Sequence, residues 1–186
     1  MVCIGWSHLF WESDCAKWLE GACYFLRLYP DAAFQDQVNQ LVDAIISAQQ
    51  EDGYLNVHFT VFGPGKRWTN VRDWHEMYNA GHLFEAAVAF QDLTGDDRST
   101  QAMLRFVKHI RDRFGPEDGR LHGYPGHAEI ELALFKLYES TNDPACLELV
   151  EYFLAEREKN QAQFYREEQQ RRQEDPRIFP GAWPSP

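Results

Sequence analysis

The spacing of apolar residues predicts an all-α chain built from αα-hairpins, and three observations carry that prediction. No stretch alternates apolar and polar residues as a half-buried strand would. Helical periodicity recurs in six segments, near residues 12–29, 34–50, 75–94, 98–114, 127–140 and 144–157. One plan of helix, Thr-containing turn and helix occurs twice, from Glu85 to Ile110 and from Glu131 to Leu154, with Thr94 and Thr141 standing 47 residues apart.

Taken in order, the segments alternate in kind. The first carries Trp18, Leu19, Ala22, Cys23, Phe25 and Leu26, which leave it apolar nearly all round. The second has one stripe, Val38, Leu41, Val42 and Ile45. The third, through AGHLFEAAVAF (80–90), is again apolar on every side, and the fourth returns to one stripe, Met103, Phe106, Val107 and Ile110. The fifth carries Ile130, Leu132, Ala133, Leu134, Phe135 and Leu137, and the sixth only Cys146, Leu149, Val150, Phe153 and Leu154. A one-striped helix has a face in water, whereas a helix apolar all round needs neighbours on every side. The alternation therefore predicts two layers, inner helices one, three and five against outer helices two, four and six, as in an α/α toroid or a helical solenoid. The Asp and Asn residues after Thr94 and Thr141 suit a tight turn into the next helix.

Loop length separates the two ends of this scaffold. Turns into the outer helices are short, near 30–33, 95–97 and 141–143, while those into the inner helices span about 51–74 and 115–126. Long loops at one end of a regular scaffold are where binding sites sit. That end holds Trp11, Asp14, Asp52, Tyr54, Asn56, His58, Arg67, Trp68, Asn70, Trp74, His75, His122, Tyr124, His127 and Glu129. Aromatic faces beside carboxylates, amides and imidazoles suit a ligand with apolar ring faces and many hydroxyls, such as a sugar.

Composition bounds the function. Eighteen basic against twenty-nine acidic residues give a net charge of −11, which repels phosphate backbones and excludes nucleic acid as the expected partner. The four cysteines, Cys3, Cys15, Cys23 and Cys146, show no CxxC spacing and are expected to be small buried hydrophobes. The first ten residues contain neither a secretory leader pattern nor an apolar run long enough to span a bilayer, so as written the chain is expected in the cytoplasm, away from membranes.

Few motifs commit the chain to a chemistry. His75 and His82 are seven apart, one helix face with Tyr78 between them, and could line a pocket with His75 near its mouth. HEMYNAGH (75–82) is not the zinc motif HExxH, because Tyr78 stands where the second histidine would be, and no metal site is expected from it. Among Asp14, Glu76, Glu85, Glu129 and Glu131, spacing singles out no acid–base pair, and the matched repeat positions of Glu85 and Glu131 point to a structural role. Neither a Gly-rich nucleotide loop nor a GxSxG elbow is present.

The blocks SDCAKWLEGACYFL (13–26), DGYLNVHF (52–59), RWTNVRDWHEMYNAGHLFEAAVAF (67–90) and GHAEIELALFKLY (126–138), in this order across about residues 10–165, resemble glycoside hydrolase family 127, the β-L-arabinofuranosidase family. The resemblance implies an (α/α)6 toroid, of which three hairpins supply half, and hydrolysis of β-L-arabinofuranosides or related plant glycans. It implies as well a zinc-bound cysteine nucleophile and a glutamate acid/base from later motifs. None of the four cysteines falls in a matching motif, so no catalytic residue and no zinc ligand is assigned here. The resemblance points to His75 first as a sugar contact, then to Asp14, Trp68, His82 and His127.

Residues 1–165 are accordingly read as part of a catalytic domain and residues 166–186 as a charged, then Pro-rich tail. Half a ring would expose the flanks of its inner helices, so a complementary half-domain or self-association is expected, and inactivity alone. The competing reading is a non-catalytic helical-repeat module that binds a sugar or a protein.

Overall fold

A computed structural model of the chain describes residue 9 and residues 11–174, without the side chains of Pro64, 160–169, 171, 172 and 174. Seven α-helices are described: α1 (Trp11–Leu28), α2 (Ala32–Ser47), α3 (Val57–Val61), α4 (Glu76–Thr94), α5 (Arg98–Arg113), α6 (Glu129–Thr141) and α7 (Pro144–Glu174). No strand is present among the described residues. None of these helices is long and apolar enough to cross a membrane.

The predicted layers are both there. α4 lies between α1 and α6, and these three form the inner layer; α2 packs on α1, α5 on α4 and α7 on α6. Burial follows the sequence pattern: α4 is covered on nearly every side, from Met77 and Ala80 to Phe84, Ala87 and Phe90, whereas α5 turns in Met103, Phe106, Val107 and Ile110 and leaves its charged face in water. Among the described residues, α1 and α6 each pack on one inner neighbour, α4. Trp18 and Phe25 on α1, and Leu132 and Phe135 on α6, are left about half exposed.

The repeat holds to the level of single hydrogen bonds. Thr94 Oγ1 donates to Phe90 O (2.8 Å) and accepts from Asp96 N, while Asp96 Oδ1 accepts from Arg98 N at the start of α5. Thr141 Oγ1 donates to Leu137 O (2.7 Å) and accepts from Asp143 N, and Asp143 Oδ1 accepts from Ala145 N. Between the paired residues, Gly95 and Asn142 both take the left-handed conformation, φ 74° and 57°, which ends a helix by turning its backbone out of register.

Two departures from the sequence reading have local causes. α7 runs 17 residues past the expected 157, because EREKNQAQFYREEQQRRQE (156–174) is dominated by strong helix formers and holds neither Gly nor Pro. The helix is therefore continuous across residue 165; residues 175–186 lie outside the described residues. The long loop before α4 contains the short helix α3, whose N-terminus is capped by Asn56 Oδ1 on Phe59 N and by Glu12 Oε1 of α1 on Val57 N (2.5 Å).

Candidate functional site

The 51–74 loop is pinned to the scaffold by a closed polar cluster. Tyr54, fully buried, donates its hydroxyl hydrogen bond to Glu76 Oε1, and Glu76 Oε2 accepts the Trp68 backbone N–H at 2.7 Å. The Trp68 indole N–H donates to His109 Nε2 (3.3 Å), and His109 Nδ1–H donates to the Asp52 carbonyl (2.9 Å). The Arg67 guanidinium lies over the Tyr54 ring at 4.0 Å. Burial is the main cause of the pKa shifts here: it raises Glu76 to about 7 and keeps His109 below its ordinary value.

The expected sugar-facing role of Trp68 is therefore not what its position offers. Its ring is 7% exposed and edge-on to Tyr54 and Phe114. Tyr54, Trp74 and Tyr124 are likewise turned inward, Trp74 stacking on Phe59. Aromatic side chains in long loops bury large areas, and these loops need that area to be held against α5. His109, which sequence reading missed, is the anchor on α5; only its place on the buried stripe of that helix could have signalled it.

A second cluster forms at the N-terminal ends of the three inner helices, which run side by side in one direction. His75 stands at the N-cap of α4 with φ 57°, in the left-handed region that a bulky residue seldom occupies. Its Nδ1–H donates to Asp73 O (2.5 Å), which makes Nε2 the acceptor of the neutral ring, and burial lowers its pKa. His127, in the turn before α6, brings its ring centroid to 5.0 Å from His75 and 5.3 Å from Tyr78. Tyr78 touches His82 in turn, at 4.6 Å, so the expected row His75, Tyr78, His82 is present. From α1, Lys17 Nζ donates to the Tyr78 hydroxyl at 2.7 Å; Lys17 is the other member that sequence reading missed. Asp14, one turn earlier on α1, is exposed and reaches His82 only through its charge.

The inner end of this row is polar and buried. His82 Nδ1 lies 3.2 Å from Glu129 Oε1 and 3.4 Å from Glu85 Oε2. Glu85 is also bound by Lys136, which holds it below the ordinary carboxylate range despite burial, whereas burial and the neighbouring Glu85 push Glu129 well above it. Glu131 is matched by Arg157 at 2.7 Å as Glu85 is by Lys136, so each of these glutamates holds a cation and serves the packing of helices.

Among the described residues, no two cysteines belong to a group close enough to share a metal ion. Cys23 and Cys146 are completely buried, with burial raising their thiols to about 11 and about 12, and Cys15 is half-buried. Cys3 lies outside the described residues. Among the described residues, the one group of three metal-ligating side chains close enough to share an ion is His82, Glu85 and Glu129, which contains no cysteine. Trp11 and His58 line a separate apolar cavity of about 300 Å³, together with Cys15, Ile45, Leu55 and Phe62.

Comparison with known proteins places this arrangement. The family profile described as "Beta-L-arabinofuranosidase, GH127 catalytic domain" matches residues 2–178. A non-reducing end β-L-arabinofuranosidase of Bifidobacterium longum subsp. longum is 40% identical over 161 residues, covering 84% of this chain and 24% of the relative. The crystal structure of a GH127 β-L-arabinofuranosidase from Geobacillus stearothermophilus T6 superposes with a TM-score of 0.83 at 43% identity, over 89% of this chain and 26% of that one. A further GH127 β-arabinofuranosidase, BT3674, gives a TM-score of 0.73 at 32% identity, over 78% and 24% of the two chains. The chain thus spans about a quarter of the length of these relatives.

Proposed function

We propose, for a chain that belongs to the GH127 β-L-arabinofuranosidase catalytic-domain family, that the face formed by His75, Tyr78 and His127 is one wall of a binding site for β-L-arabinofuranosides or related plant glycans. The single observation behind this reading is the meeting of two imidazoles, 52 residues apart in sequence, at 5.0 Å on an accessible edge of three helix ends. The Nε2 acceptor of His75 and the exposed imidazole of His127 can each serve a sugar hydroxyl, and the flat rings offer contact to the C–H face of the sugar. Asp14 and His82 support the wall from beside and behind.

We infer that the chain does not cleave a glycoside by itself. Hydrolysis needs a nucleophile or base and an acid on opposite sides of the scissile bond, and the carboxyls that meet here, Glu85 and Glu129, face each other instead. The zinc and the cysteine nucleophile implied by the family would be supplied by other residues. The half-exposed flanks of α1 and α6 are the natural seats for that complement, whether a complementary half-domain or a second copy of the chain. A binding module without catalysis is the alternative, favoured by the high thiol pKa values of Cys23 and Cys146.

The test is p-nitrophenyl β-L-arabinofuranoside offered to the purified chain with and without zinc and reductant, with binding followed by saturation-transfer NMR. Binding that is lost in His75→Ala, without turnover, is the expected result. Turnover by the chain alone would overturn the claim of inactivity, and absence of binding by the folded chain would overturn the site.

A further inference from the structure

We infer that Glu129 is a positioning residue: its carboxyl group, packed against His82 and Glu85, fixes the turn that carries His127 and so sets the spacing of the His75–His127 pair. The inference rests on reading that pair as the sugar-contacting wall, but its geometry stands independently.

The start of α6 lacks the usual fastening. Ala128 occupies the N-cap and can offer no side-chain acceptor to the first turn. What holds the turn is its contact with α4 and with the preceding loop. Gly81 allows α6 to approach so closely that a Cβ there would come within 2.9 Å of Glu129 Cγ and 3.1 Å of Ile130 Cα and N. Gly126 is seated against the 72–75 loop, where a Cβ would lie 2.3 Å from Arg72 O. Between these two contacts the Glu129 side chain, four-fifths buried, points toward α4, and His127 is only two residues before it.

The end of that side chain is held by polar contacts. Glu129 Oε1 lies 3.2 Å from His82 Nδ1, and its carboxyl meets that of Glu85, which Lys136 of α6 also holds. Withdrawing the carboxyl removes the side-chain contact by which the start of α6 reaches these groups of α4, and the spacing of His75 and His127 shifts with the turn.

The experiment is NMR of the full chain with labelled histidines, comparing the parent with Glu129→Gln, Glu129→Asp and Glu129→Ala. Glutamine keeps the length of the side chain and its hydrogen bonding, whereas aspartate is one methylene short of His82 and Glu85. The expected result is a ring-to-ring cross-peak between His75 and His127 that persists in Glu129→Gln, weakens in Glu129→Asp and is lost in Glu129→Ala. A cross-peak equally strong in a folded Glu129→Ala chain would overturn the inference. So would an unchanged cross-peak in Glu129→Asp, which decides the matter should the alanine variant fail to fold. No sugar enters these readouts; failure of arabinofuranoside binding alone would remove the proposed site and leave the positioning intact.

Discussion

Two groups of the same residue types lie at the long-loop end of the molecule, and they differ in what closes them. Tyr54, Trp68, Glu76 and His109 form with Asp52 a ring of hydrogen bonds, closed by the Tyr54 N–H on Asp52 Oδ1. His75, Tyr78, His82 and His127 also combine imidazole and phenol, but their outer edge reaches the surface, with His127 exposed. A closed set stabilises the fold, since each polar group already has its partner. A set that reaches the surface, as His127 does, is the one an outside ligand could touch. Residue type alone therefore does not tell a packing cluster from a candidate binding face.

The largest effect that would break this comparison is on stability. Trp68→Ala should lower the unfolding free energy by about 3–5 kcal/mol, since it removes a buried indole and leaves His109 Nε2 without its donor. His127→Ala, at an exposed position, should change it by no more than about 0.5 kcal/mol. Urea titration of the two variants checks both, and a costly His127→Ala would show that the open cluster is structural as well.

Binding should show the reverse order. His75→Ala is expected to weaken arabinofuranoside binding roughly tenfold, the worth of about 1–1.5 kcal/mol for one neutral hydrogen bond, and Trp68→Phe to leave it nearly unchanged. Titration followed by NMR decides between them. A larger loss in Trp68→Phe would move the site into the loop cluster.

A pH dependence sharpens the contrast further. Burial raises the Glu76 pKa from 4.5 to about 7, so the folded chain binds more protons than the unfolded chain across that interval. The stability this proton supplies is present below 4.5 and is lost as pH rises through about 7. The melting temperature of Glu76→Gln relative to the parent should therefore rise over the same interval. His75, His82 and His109, lowered by burial, act with the opposite sign in both chains and cancel in the difference. A flat difference would mean that Glu76 stays ionised in its cluster.

The smallest expected effect concerns the repeated turn. Gly95→Ala meets no neighbouring atom, so its cost of about 1 kcal/mol comes from the left-handed backbone alone. Asn142→Gly, at the matching position, should be neutral or slightly stabilising. Thermal melts of the two variants compare them directly.

Much of the scaffold was legible because its causes are local and periodic. The six long helices, their alternation and the Thr94 and Thr141 turns follow from side-chain spacing and from turn chemistry that acts within four residues. The site was legible only in part. His75, His82 and the Tyr78 between them share a helix face at fixed spacing, so their row could be read, while Lys17 and His109 could not, since no spacing within one helix reveals which residue of a neighbouring helix faces it.

The sequence by itself determined the six long helices, the two layers, the net negative charge and, through the 13–26, 67–90 and 126–138 blocks, the family. Only the tertiary structure decided which of the loop aromatics are buried and which imidazoles meet. That choice depends on the approach of α4 and α6 at Gly81 and of the 72–75 loop at Gly126, contacts between segments about 50 residues apart. Helix formation is a property of the chain's near neighbours, whereas a site assembled from three helix ends exists only once those helices have packed.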